Sequence, residues 1–162
     1  MSTGIGQRTE AILPLDRCAR VDLPRFADQR GTLTAIEGLR EVPFNIARVF
    51  YVYDVAAAAT RARHGHRTLE QFVIAVSGSF TLTVRDPDRS KRFDLRRGFE
   101  GVYIPPMLWV DLEDFSTGAV ALVLASASFD PSDYFDEYDE YAASYELTFG
   151  RSRETAETPR LV

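Results

Sequence analysis

Short runs of β-branched and aromatic residues recur along the chain, each bounded by Gly, Pro, Asp or Ser. They are TLTAIE at 32–37, IARVFYVYD at 46–54, QFVIAVSG at 71–78, FTLTVRD at 80–86, GVYIP at 101–105, LWVDLED at 108–114 and AVALVLA at 119–125. Runs of this length and spacing predict an all-β antiparallel domain, a sandwich or a barrel. SGS at 77–79 lies between two of them and predicts a tight hairpin, and RDPDRSKR at 85–92 reads as a polar loop built on Asp-Pro-Asp. From Ser128 the period changes. Tyr134, Tyr138, Tyr141 and Tyr145 follow one another at three or four residues, which is the spacing of a helix face, with Asp130 or Ser132 as the expected cap. Such a stripe predicts a short C-terminal helix packed on the sheets or on a partner chain. Residues 1–10 and the tail from 150 to 162 are polar, so both are expected to be frayed ends around one domain at 11–149.

Composition narrows the function classes. A chain of 162 residues with 11 Phe and 7 Tyr has material for one sizeable core and excludes general disorder. A net charge of −5 argues against a nucleic-acid partner, because phosphate neutralisation needs a basic surplus. The single cysteine, Cys18, permits no disulfide within the chain and suits a reducing compartment. No stretch approaches the ~20 apolar residues of a spanning helix, and the first residues lack a signal-like apolar run. A soluble, cytoplasmic protein without a membrane partner is expected.

The only two histidines stand one residue apart in RHGHRTLEQFVIAVSG, residues 63–78. On a strand, alternate side chains share a face, so His64 and His66 point the same way, about 6 to 7 Å apart along it. They could be a satisfied structural pair, metal ligands, or proton carriers. Comparison with the cupin motif, H-x-H followed by Glu and then Gly, bears on the metal. Counting six residues back from Gly78 reaches Gln71, which leaves Glu70 on the opposite face, and the chain holds no third histidine. Two imidazoles and an amide fall short of the donors a transition metal needs. Proton transfer suits histidine, whose ordinary pKa lies near neutrality. Along 46–54, Tyr51 and Tyr53 share one face and Arg48, Phe50 and Val52 the other; if the latter is interior, Arg48 is a buried cation that needs an anion. Arg61 and Arg63 point away from His64 unless a bend intervenes.

The blocks DQRGTLTAIEG, VPFNIARVFYVYD, RARHGHRTLEQFVIAVSGS, GVYIPPMLWVDLEDFSTGAVALVLAS and FDPSDYFDEYDEYAASY, in this order over about residues 20–145, resemble the nucleotide-sugar 3,4-ketoisomerases of the cupin superfamily. The resemblance implies a cupin-like antiparallel β-barrel of jelly-roll type, working as a homodimer without metal or cofactor. It also implies conversion of dTDP-4-keto-6-deoxyglucose to a dTDP-3-keto-6-deoxyhexose through an enediol. By position, His64 matches the base acting on the sugar and His66 its partner in the pocket. Arg30, Arg48 and Arg61 match pocket or basic positions, and arginine's forked donors suit a diphosphate. Tyr51, Gln71 and Trp109 complete the expected substrate-binding set, Trp109 as a stacking surface for the thymine base. The chain departs from the family at Phe50, where a tyrosine is common, and at Val110, where many members carry His or Arg. A related sugar-nucleotide epimerase, or a cupin that binds such a ligand without turnover, are the alternatives.

Overall fold

The computed structural model describes residues 12–150, so the expected frayed ends lie outside the described residues, apart from Gly150, which closes the last helix. In chain order the elements are α1 (Pro14–Arg17), β1 (Ala19–Asp22), β2 (Phe26–Asp28), β3 (Gly31–Leu33), β4 (Arg48–Val52), β5 (Arg61–His66) and β6 (Gln71–Ser77). There follow β7 (Phe80–Arg85), β8 (Ser90–Leu95), β9 (Glu100–Ile104), β10 (Trp109–Glu113), β11 (Val120–Ala125), a 3₁₀ turn (Pro131–Asp133), β12 (Tyr134–Phe135) and α2 (Tyr138–Phe149). Ten of the strands form two five-stranded antiparallel sheets. One runs β1-β9-β6-β11-β4, the other β12-β5-β10-β7-β8, while β2 and β3 make a separate hairpin. The two sheets face each other as a jelly-roll sandwich of cupin type, and they remain separate sheets rather than one closed barrel. None of the described helices is long and apolar enough to cross a membrane.

Period-two alternation decides what lies between the sheets. Phe80, Leu82 and Val84 of β7 face inward with Leu95, Val102, Ile104, Leu112 and Val123, all buried. Fully burying a side chain of this kind is worth about 1.5–3 kcal/mol, so this row is the main source of stability. The opposite face of β6 is covered too, because Phe72 and Ile74 pack with Leu23, Val42, Phe44 and Tyr103 in a second cluster. Burial on both faces explains why QFVIAV is a continuous apolar run rather than an alternating one.

Several expectations change. SGS is not a hairpin: β6 and β7 belong to opposite sheets, and the chain turns a corner between them at Gly78. Its φ is +60°, and a Cβ there would meet Ser116 Oγ at 2.5 Å, so the corner requires glycine. The polar loop expected at 85–92 is shorter, since β8 begins at Ser90 and runs as an edge strand with Ser90, Arg92 and Asp94 exposed. TLTAIE contributes only the end of β3. The tyrosine stripe is split as well. Tyr134 lies in β12, extended so as to pair with His66, and α2 begins at Tyr138 with Glu137 at its N-cap. Asp130 instead caps the 3₁₀ turn through Ser132. Within this chain the helix packs on its own sandwich, where Tyr141 and Tyr145 join Met107, Trp109 and Phe135.

Candidate active site

Between β4, β6 and β11 of one sheet and β5 and β10 of the other, the interior is hollow. A cavity of about 290 Å³ is lined by Phe50, Val52, Arg61, His64, Gln71, Val73, Val110 and Leu112, among others. Alternation places these side chains. His64 lies opposite Val110 on β10, and in the facing sheet Gln71 lies opposite Ala125, itself opposite Arg48. Gln71 is 6% exposed, and its amide makes no hydrogen bond among the described residues. Its side chain lines the cavity, a space able to hold a ligand. Glu70 points to the other face, as expected, and accepts a hydrogen bond from Tyr103.

The bend that would bring the arginine and the histidine of β5 to one side is present. Val110 pairs with His64 but Asp111 with Ala62, so Arg63 is an extra residue, a β-bulge, and both Ala62 (φ 65°) and Arg63 (φ 58°) are left-handed. Arg61 therefore pairs with Leu112, shares the inner face with His64 and stands at the cavity mouth. His64 and His66 flank Gly65, whose outer side lies beneath α2; a Cβ there would sit 3.3 Å from the Tyr141 ring and 3.2 Å from the Leu108 carbonyl oxygen. Tyr141, fully buried, is fixed by donating to the Arg85 and Met107 carbonyls.

The two imidazole centroids are 4.9 Å apart, and Tyr134 stands 4.9 Å from His64 and 4.3 Å from His66. His66 Nδ1 lies 3.1 Å from Asp133 Oδ2, while its Nε2 is buried with no partner among the described residues. Burial pushes the His66 pKa down to about 4, helped by neighbouring His64 and Arg48 and opposed by Asp133. Burial also lowers His64, against a backbone interaction with Ala62 and the carboxylates of Asp136 and Asp111. Both imidazoles are thus neutral near pH 7, the form that accepts a proton. Arg48 lies inward between aromatic rings, 4.5 Å from the Phe50 centroid and 5.2 Å from that of Phe129, and forms no ion pair among the described residues. It shares a smaller cavity with His66, Asp133 and Tyr134.

Of the expected substrate-binding set, Trp109 and Arg30 lie away from the cavity, and Tyr51 only borders it. Trp109 is on the outer face of β10, T-shaped against Tyr138 at 5.2 Å, because alternation turns Val110 and Leu112 inward. Tyr51 borders the cavity mouth from an edge strand, but its side chain is 61% exposed, beside Tyr53 on the outer face. Arg30 sits at the β2–β3 turn, exposed and paired with Asp28. Conversely, Asp133 and Tyr134 were missed; they reach the histidines only through the pairing of β12 with β5. Phe50 and Val110, the two departures from the family pattern, both line the main cavity. Among the described residues no three His, Cys, Asp or Glu side chains form a group able to hold a metal ion.

The chain matches a protein family described as "FdtA: WxcM-like, C-terminal" over residues 16–146. It is 34% identical over 121 residues to a TDP-4-oxo-6-deoxy-alpha-D-glucose-3,4-oxoisomerase of Aneurinibacillus thermoaerophilus, covering 75% of this chain and 87% of that one. The sugar 3,4-ketoisomerase QdtA of Thermoanaerobacterium thermosaccharolyticum, solved with TDP, superposes with a TM-score of 0.81 at 38% identity, covering 83% of this chain and 98% of that one. A histidine-to-asparagine variant of the same enzyme, solved with TDP-4-keto-6-deoxyglucose, gives 0.80 at 36% over the same shares. The 4-keto-6-deoxy sugar epimerase NovW of Streptomyces spheroides is 18% identical with a TM-score of 0.65, covering 75% of this chain and 69% of that one, a likeness of fold alone. The order of strands, the paired histidines inside the sandwich and this agreement over most of both chains lead to one conclusion: the chain belongs to the FdtA family of sugar-nucleotide 3,4-ketoisomerases.

Proposed function

We propose that this chain converts TDP-4-keto-6-deoxyglucose to a TDP-linked 3-keto-6-deoxyhexose by moving a proton between adjacent sugar carbons. The observation that carries the reading is His64 facing a cavity that the Gln71 side chain and Arg61 also line. The C3 hydrogen of a 4-keto sugar is acidified by the neighbouring ketone. His64 removes it as a proton, the electron pair becomes the C3–C4 double bond of an enediolate, and the charge falls on the former ketone oxygen. Donors facing the cavity, the Gln71 amide among them, stabilise that charge. Return of a proton to C4 and transfer of the C3 hydroxyl proton to the C4 oxygen give the 3-ketone with a hydroxyl at C4, so the product is an isomer and no oxidant is consumed. Arg48 and Arg61 supply the cations for the diphosphate of the carrier, Arg61 from the mouth and Arg48 from the adjoining recess.

Incubation with TDP-4-keto-6-deoxyglucose in deuterium oxide tests this. A 3-keto product carrying one deuterium at C4 is the expected result. An inverted 4-keto sugar would support the epimerase instead, and binding without exchange a non-catalytic role. The homodimer belongs to the same proposal, supported by the apolar outer side of edge strand β4, where Val49, Tyr51 and Tyr53 are all more than half exposed. Light scattering should give twice the 18.2 kDa chain mass. A cytoplasmic location accords with the free, buried Cys18, whose thiol burial pushes up to about 12.

A further inference from the structure

We infer that Asp133 is a positioning residue of the isomerisation, holding His66 in the tautomer that carries its proton on Nδ1 and its lone pair on Nε2. The inference rests on the reading above, that the paired histidines handle the protons. Asp133 stands at the end of the 3₁₀ turn, 67 residues from His66 in sequence. Its Oδ1 accepts from the Thr68 backbone N–H at 2.8 Å and the Thr68 hydroxyl at 2.7 Å, and its Oδ2 accepts from the Leu69 N–H at 3.2 Å. Both carboxylate oxygens already accept from the N–H and O–H donors of Thr68 and Leu69, so Asp133 serves here as an acceptor, and at 3.1 Å the His66 Nδ1 donates to it. In a neutral imidazole the lone pair then lies on Nε2, and that atom is buried without a partner among the described residues.

The other groups facing the ring do not alter this assignment. Arg48 on β4 opposes a second charge on His66, His64 on β5 does the same, and the Tyr134 ring on β12 packs against the imidazole. Isomerisation needs an acceptor for the C3 hydroxyl proton as the new ketone forms, besides the base that takes the carbon-bound proton. An Nε2 lone pair beside His64 is such an acceptor, and the opposite tautomer would present an N–H instead. Asp133 thus corresponds in logic to the carboxylate that orients a general-base histidine in a hydrolase, although here it also ties Thr68 and Leu69 of the β5–β6 connection.

That second role requires a test a merely structural residue would fail. The chain has only two histidines, so a long-range ¹H–¹⁵N spectrum of the wild type near pH 7.5 contains two imidazoles, assigned by comparison with His64→Gln. His66 is expected to show a protonated Nδ1 and a bare Nε2. Asp133→Asn should mix the tautomers and lower kcat for TDP-4-keto-6-deoxyglucose by roughly 10²-fold, the low end of a general base's contribution, with KM within about threefold. Thr68→Val removes a hydrogen bond from the same carboxylate but leaves the imidazole contact, so it should keep the tautomer and kcat even where its Tm falls. A wild-type spectrum with the proton on Nε2, or an Asp133→Asn variant with undiminished kcat, overturns the inference. If Asp133→Asn does not fold, the wild-type spectrum still decides. A wild type that turns over the sugar with the wrong tautomer sinks this inference alone; one with the right tautomer and no turnover sinks the isomerase reading, and Asp133's part in it.

Discussion

The two ends of the sandwich belong to the same pair of sheets and behave as different materials. At one end β7 and β8 close the space, with Phe80, Leu82, Val84 and Leu95 no more than 2% exposed and Phe80 stacked on Phe115 at 5.2 Å. At the other, β4 and β5 leave a hollow of about 290 Å³ holding a neutral imidazole, a free amide and nearby arginines. The contrast is sharpest at two valines. Val84 and Val110 are direct cross-strand partners on the inner face, yet Val84 sits in packed core and Val110 borders the cavity. Stability is therefore concentrated at one end, which leaves the other free to carry groups that would be penalised in a filled core.

The largest expected effect is at the hollow end and should leave the fold alone. His64→Asn is expected to lower the rate of deuterium incorporation by about 10²–10⁴-fold, with ligand binding retained and the thermal midpoint close to that of the wild type. Next comes the mirror experiment. Leu82→Ala at the closed end should cost about 2–5 kcal/mol in urea unfolding, while kcat per folded molecule stays unchanged. A loss of activity there beyond the unfolded fraction would break the division between the ends.

The paired valines sharpen the comparison. Val84→Phe should cost about 1–3 kcal/mol through overpacking, whereas Val110→Phe, with space before it, should cost less and instead raise KM. Equal losses of stability from the two would show that the hollow is already filled. The smallest effect is on pH. His66 titrates at about 4 in the folded chain against an ordinary 6.5, so between those values the unfolded chain binds more protons. Its contribution to stability is fully present above about pH 6.5 and is lost as pH falls toward 4. Replacing His66 by Asn should flatten that part of the stability profile measured by chemical denaturation.

Alternation made much of this readable in advance. It put His64 and His66 on one face, Gln71 against Glu70, and Arg48, Phe50 and Val52 together on one face, because these depend only on a strand's period of two; that this last face is the inner one is seen only in the fold. What escaped depends on contacts between distant parts of the chain. Asp133 and Tyr134 lie in a segment whose tyrosine spacing mimics a helix, and only pairing with β5 extends it. Trp109 follows the period correctly, but which of its faces is the inner one depends on where α2 docks. Arg30 is placed by a hairpin that stands apart from both sheets. The glycine between the histidines carried no local signal, since its reason is the Tyr141 ring on the far side of the strand.

The bulge at Arg63 has a consequence for inheritance. In an unbroken strand the parity of every position is tied to that of its neighbours, so a residue gained or lost in the segment before β5 would turn the histidines outward unless the pairing slid to compensate. An extra residue that stands outside the ladder uncouples the two halves. The length of the loop between β4 and β5, and the cation at its end, are then free to drift among descendants of this fold as ligands change. The histidine half keeps its phase, held by Gly65 beneath the helix.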